Sequence, residues 1–192
     1  MFRLFKPRSS TDNYSMNGVL VVGRTGAGKS SLINAIIGHP IAITEGARPV
    51  TKRITPFTHE NLPFFLYDSP GWEEGKQKAK DYIKNSQNHL KYLHDKVKLI
   101  WYVIDAPSTR LYDFEVTLLK TVFNNLPVFF VITKCDIATD EQINGLLSAI
   151  IAANVSNQSG AFQVGISPSG QQLEPRFDIS RLIQMTQQSL NK

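Results

Sequence analysis

The chain has 192 residues, 42% of them hydrophobic and 19% charged, a balance that excludes wholesale disorder and predicts one α/β domain or one large domain of another class. Lysine and arginine number 21 against 16 acids; so modest an excess fits a polyanionic ligand and equally an ordinary basic surface. One cysteine, Cys135, excludes an intrachain disulfide and points to a reducing, cytoplasmic compartment, and no apolar run nears the roughly 20 residues of a membrane span.

Residues 1–16 have no continuous apolar core and read as a flexible polar leader. Phe2, Arg3, Phe5 and Lys6 are the alternative, material for a weak membrane-surface arm. Residues 17–192 are expected to form the domain. Its first strand is predicted at 18–22 and its first helix at 29–37, joined by Gly23-Arg24-Thr25-Gly26-Ala27-Gly28-Lys29-Ser30. That joint fits G-x-x-x-x-G-K-[ST] in the context the pattern requires, after a strand and before a helix. Backbone amides from Arg24 to Ser31, Thr25, Gly26, Ala27 and Gly28 among them, can surround phosphate oxygens, and the helix start adds its positive dipole end. Lys29 then reaches the β- and γ-phosphates as a point charge, and Ser30 offers a hydroxyl to Mg²⁺.

The stretch 38–55 lacks periodicity and holds Pro40, Gly46 and Pro49, a loop length that is usually functional. Thr51 within it is the expected Mg²⁺ hydroxyl, with Thr55 and Thr44 as runners-up. Strands at 54–59 and 63–67 are too close in sequence for a crossover and predict an antiparallel pair at a sheet edge. Asp68 ends the second of them and suits a magnesium-bound water; Gly71, three residues on, can bring its amide to a γ-phosphate. Asp-Ser-Pro-Gly is also good turn chemistry, which alone would explain it.

A lysine-rich helix at 76–96, a strand at 99–104 and a helix at 113–125 follow. The apolar strand 128–133 runs into Thr133-Lys134-Cys135-Asp136. The carboxyl end of a buried parallel strand is where open α/β sheets bind ligands. A carboxylate at Asp136 accepts from both N1–H and the exocyclic amine of guanine, whereas adenine presents an acceptor at N1. The aliphatic stem of Lys134 can lie along the base. Next come a helix at 140–154, with Ile143, Leu146, Leu147, Ile150 and Ile151 as its apolar stripe, and a strand at 162–166. Ser167, with Pro168 beside it, is placed for a backbone contact to the guanine oxygen, and a helix at 179–190 closes the pattern. The alternation predicts a three-layer α/β fold: six strands, mostly parallel with one antiparallel edge strand, and helices on both faces.

These elements, in this order, resemble the P-loop GTPases of the Era, TrmE and septin type, the fifty-S-ribosome-binding GTPase class, over roughly residues 17–190. The resemblance implies GTP or GDP and Mg²⁺ as ligands, two switch loops and GTP hydrolysis. It carries over Lys29 and Thr51 as catalytic, Ser30, Thr51 and, through water, Asp68 as metal-binding, and Asp68 with Gly71 as the second switch. Thr133, Lys134, Asp136 and Ser167 become the base site. Two departures stand out. Trp72 occupies the position where Ras-like enzymes have a water-orienting glutamine, and Gly26 occupies that of the asparagine used by potassium-assisted members. Slow intrinsic turnover is therefore expected, with a homodimer across the nucleotide faces or an activating protein supplying the missing group. A non-catalytic, pairing GTP-binding module is the alternative. Arg24, Arg48 and Arg53 are candidates to act in trans. RNA or ribosome contact has no motif of its own in the sequence.

Overall fold

The computed structural model describes residues 17–38, 54–59, 62–93, 95–164 and 179–191. Thr44, Arg48, Thr51, Arg53, Ser167, Pro168 and the leader 1–16 lie outside the described residues.

Among the described residues six strands form one sheet: β1 (Gly18–Gly23), β2 (Thr55–Phe57), β3 (Phe65–Asp68), β4 (Val97–Asp105), β5 (Val128–Thr133) and β6 (Gln158–Gln163), in the order β2-β3-β1-β4-β5-β6. Only β2–β3 is antiparallel, at the sheet edge as expected. β1 and β5 are buried along their whole length, which is why they read as unbroken apolar runs rather than alternating ones.

The two sheet faces bury separate side-chain sets. Leu20, Val22, Ile100, Tyr102, Ile104, Phe130 and Ile132 pack with Tyr82 of α2 (Lys76–Tyr92), Leu118 and Leu119 of α3 (Asp113–Thr121), and Ile143, Leu146 and Ile150 of α4 (Asp140–Ala152). Val19, Val21, Leu99, Trp101, Val103, Phe129 and Val131 pack with Leu32, Ile33 and Ile37 of α1 (Lys29–Ile37) and with Ile179 and Leu182 of α5 (Ile179–Leu190). Each such fully buried side chain contributes about 1.5–3 kcal/mol before entropy is counted. Trp101 Nε1 donates to Thr186 Oγ1 at 3.1 Å, pinning α5 to the central strand.

The sixth strand departs from expectation. It spans Gln158–Gln163 rather than 162–166. It is an outer strand paired on one side only, and its sequence QSGAFQ is half-exposed and polar, so no apolar run marks it. α2 and α3 end four residues earlier than predicted, at Tyr92 and Thr121. α2 is capped by Leu93, whose amide reaches the His89 carbonyl, and the chain then turns directly into β4.

Candidate nucleotide site

The carboxyl ends of β1, β3, β4 and β5 bring the motif residues to one edge of the sheet. β1 stops at Gly23 and the chain loops into α1, whose N-cap Gly28 has φ 92° and no capping side chain. That left-handed conformation costs an L side chain about 1–2 kcal/mol, and a Cβ there would also press on the Thr133 side chain at 3.4 Å. Without a side-chain cap, the first-turn amides of α1 remain available to an anion.

Lys29 is buried and folds back over its own loop. Its Nζ donates to the carbonyls of Arg24 at 2.9 Å and Gly23 at 3.2 Å. Burial lowers its pKa to about 8, with the charge of Asp68 opposing the shift. Ser30 Oγ donates to Asp68 Oδ2 at 3.2 Å, so the two residues expected at the metal are in contact. Thr55, a runner-up for that metal, stands on β2 in register with Asp68. Hydroxyl and carboxylate oxygens fit Mg²⁺, which takes few protein ligands and keeps water and phosphate for the rest. Ser31 follows Ser30 in the first turn of α1.

The second-switch segment lies against the phosphate loop. Thr25 N donates to Trp72 O at 2.9 Å and Trp72 N to Gly23 O at 3.3 Å. A Cβ on Gly71 would come within 2.6 Å of Thr25 N, so only glycine permits this approach. The Trp72 ring lies in the core. It is 2% exposed and packs edge-on against Phe114 at 4.5 Å and Tyr112 at 5.4 Å between centroids. The position of the water-orienting glutamine is thus filled by a core residue.

At the carboxyl end of β5, Thr133 Oγ1 donates to Ala27 O at 2.5 Å, fastening the strand to the phosphate loop. Lys134 has φ 56°, left-handed for a residue with a side chain, and its Nζ lies 3.9 Å from Asp105 Oδ2. Asp136 is exposed on the following turn. Helix capping does not occupy it: Thr139 caps α4, accepting from Gln142 N at 3.2 Å while Gln142 Oε1 accepts from Thr139 N at 2.9 Å. Cys135 is buried, a small packed residue.

The structure thus brings together Arg24 to Ser31, Asp68, Gly71, Thr133 and, through Asp105, Lys134, with Asp136 exposed on the turn that follows. The Arg24 guanidinium is engaged within its own chain, 3.4 Å from Asp105 and 3.6 Å from Glu74. Asp105 and Glu115 were missed by sequence reasoning. Asp105 had a signal, since it ends an apolar strand just as Asp68 does. Glu115 had none: it is a buried acid on α3, accepting from Tyr102 Oη at 2.6 Å and Tyr112 N at 2.8 Å. Burial raises its pKa, opposed by those two hydrogen bonds and by the Arg24 charge.

The model of the family described as 50S ribosome-binding GTPase matches residues 18–134. The GTPase Era of Neisseria meningitidis is 32% identical over 129 residues, 66% of this chain and 41% of that protein. The chain spans about two-fifths of the length of the curated relatives it matches. A solved structure of Era with MgGDPNP and nucleotides 1506–1542 of 16S ribosomal RNA has a TM-score of 0.69 at 20% identity, covering 92% of this chain and 57% of that one. A dimerisation-deficient mutant of Toc33 from Arabidopsis thaliana has a TM-score of 0.61 at 15% identity, covering 93% of this chain and 86% of that one. Both likenesses are of fold. No helix among the described residues is long and apolar enough to cross a membrane.

Proposed function

The chain belongs to the 50S ribosome-binding GTPase family, and from that premise we propose that it binds GTP and GDP with Mg²⁺ and hydrolyses GTP slowly to GDP and phosphate. The observation that carries this reading is the joining of two motifs: the phosphate loop and the Thr133–Asp136 turn share one sheet edge, linked by the 2.5 Å bond from Thr133 to Ala27. In the reading, the loop amides and Lys29 hold the phosphates and Asp136 accepts from the guanine edge. Ser30 and Asp68 face the metal, directly and through water, with Thr51 as the expected first-switch hydroxyl. Ser167 and Pro168 complete the base site. Mg²⁺ held at Ser30, Asp68 and Thr51 would neutralise charge developing on the phosphates. Water attacks the γ-phosphorus in line, the bond to the bridging oxygen breaks, and the oxygen leaves on GDP as Lys29 offsets its charge.

Because the side chain at the water-orienting position is buried, turnover is proposed to sit well below the roughly 1–10³ s⁻¹ of ordinary enzymes. A second copy or an activating protein would add the missing group. That Toc33 has a dimerisation-deficient mutant supports asking for a nucleotide-dependent pair here. The RNA bound by Era is the reason to test RNA as a partner. A cytoplasmic site of action is part of the same proposal. Competition titration tests the base assignment: guanine nucleotides bind at least tenfold more tightly than adenine nucleotides, and Asp136→Asn shifts preference toward xanthine nucleotides, whose exocyclic oxygen suits an amide donor. Equal affinity for GTP and ATP would sink the proposal.

A further inference from the structure

We infer that Asp105 is a positioning residue that couples the phosphate loop to the base-reading lysine, so that guanine and phosphate recognition respond as one unit. The inference rests on the guanine-nucleotide reading above. Asp105 is the last residue of β4 and pairs in register with Thr133, which puts its carboxylate at the sheet edge between the two motifs. Its side chain is only 8% exposed. One oxygen, Oδ1, lies 3.4 Å from Arg24 Nη2 in the phosphate loop, and the other, Oδ2, lies 3.9 Å from Lys134 Nζ. A single buried carboxylate is therefore divided between cations from two motifs 110 positions apart in the sequence. Removing its charge leaves Lys134 without this partner and Arg24 with its exposed pair to Glu74.

The backbone supplies an independent observation. Lys134 holds φ 56°, a conformation that costs a residue with a Cβ about 1–2 kcal/mol and persists only where its surroundings fix it. The backbone bonds from Ile137 N to Lys134 O and from Cys135 N to Val164 O, each 3.3 Å, hold the turn here, and the ion pair to Asp105 acts on the side chain. The lysine stem is thereby held at the sheet edge, where a base would lie along it. The neutral link from Thr133 to Ala27 joins the same two motifs but touches neither cation. Loss of Asp105 therefore frees the lysine side chain and leaves the arginine its exposed pair to Glu74, while that link keeps the loop and strand together.

The experiment measures release of a fluorescent GDP analogue from the full chain, with folding followed by thermal melting. Asp105→Asn is the near-isosteric probe. It is expected to speed GDP release about tenfold or more and to shrink the preference for GDP over ADP, while competition by inorganic triphosphate changes less than threefold. Arg24→Gln breaks the other half of the link, and its effect on GDP release should be non-additive with that of Asp105→Asn. Asp105→Glu should restore part of the base preference. Three results would overturn the inference: unchanged release from folded Asp105→Asn, equal losses for GDP and inorganic triphosphate, or additive effects in the double variant. Failure of the wild-type protein to bind GDP would instead refute the nucleotide reading itself.

Discussion

Glu115 lies beneath the second-switch segment, and its replacement separates the value of its hydrogen bonds from the cost of its charge. Glu115→Ala removes the acceptor for Tyr102 Oη, leaving a buried hydroxyl unsatisfied, and removes the acceptor for Tyr112 N at the start of α3. The first loss costs about 1–3 kcal/mol and the second about 1 kcal/mol, a sum of about 2–4 kcal/mol. Glu115→Gln keeps the acceptor for Tyr112 N and offers its amide to the Tyr102 oxygen. It strands one hydroxyl proton but buries no charge, and at pH 7 it should stay within about 1 kcal/mol of wild type. The pH profile carries the sharper test. The unfolded chain releases this proton near the ordinary value of 4.5, while burial makes the folded protein hold it to higher pH. Between those two values the folded state binds more protons, so stability is complete below 4.5 and falls as pH rises through the folded value. Urea unfolding of wild type and Glu115→Gln from pH 4 to 8 gives the difference directly, and wild type should lose ground to the variant above pH 4.5. A difference that rises with pH, or a glutamine variant as damaged as the alanine one, would refute the reasoning.

Lys29→Ala removes a charge held among phosphate-loop carbonyls, and nucleotide affinity should drop about a hundredfold or more in calorimetric titration, with no loss in melting temperature because a desolvated amine is also removed. Since the ligand-free amine titrates at about 8, phosphate binding draws a proton onto it. Wild-type affinity should therefore weaken as pH climbs past that value, a component of the slope that Lys29→Ala lacks. Gly71→Ala forces a Cβ to within 2.6 Å of Thr25 N and must part the second-switch segment from the phosphate loop. A melting temperature lowered by an amount equivalent to about 1–3 kcal/mol, together with faster GDP release, is expected, and wild-type behaviour in both would show that the contact is dispensable.

Much of the fold was legible in the sequence because the buried parallel strands carry their signal locally. Val19–Val22 and Val128–Ile132 are apolar on both faces, and Ile143, Leu146 and Ile150 of the α4 stripe are buried as expected, although Ile151 at its end is exposed. The phosphate loop was legible for the same reason: Gly28 and Lys29 do their work within a few residues of each other, so spacing alone encodes it. β6 was displaced because an outer strand with polar, half-exposed residues is defined by its hydrogen bonds to β5 and not by hydrophobicity. The sequence by itself determined the order of the elements and displayed the phosphate-loop pattern and the Thr133–Asp136 stretch proposed to read the base, since each is a short-range pattern. Tertiary structure alone decided that Trp72 turns into the core against Phe114, that Arg24 is held by Asp105, and that Lys134 answers to the same carboxylate. Those contacts join residues 29 to 81 positions apart, and it is the register of the parallel strands, fixed by burial on both faces, that brings their ends together at one edge.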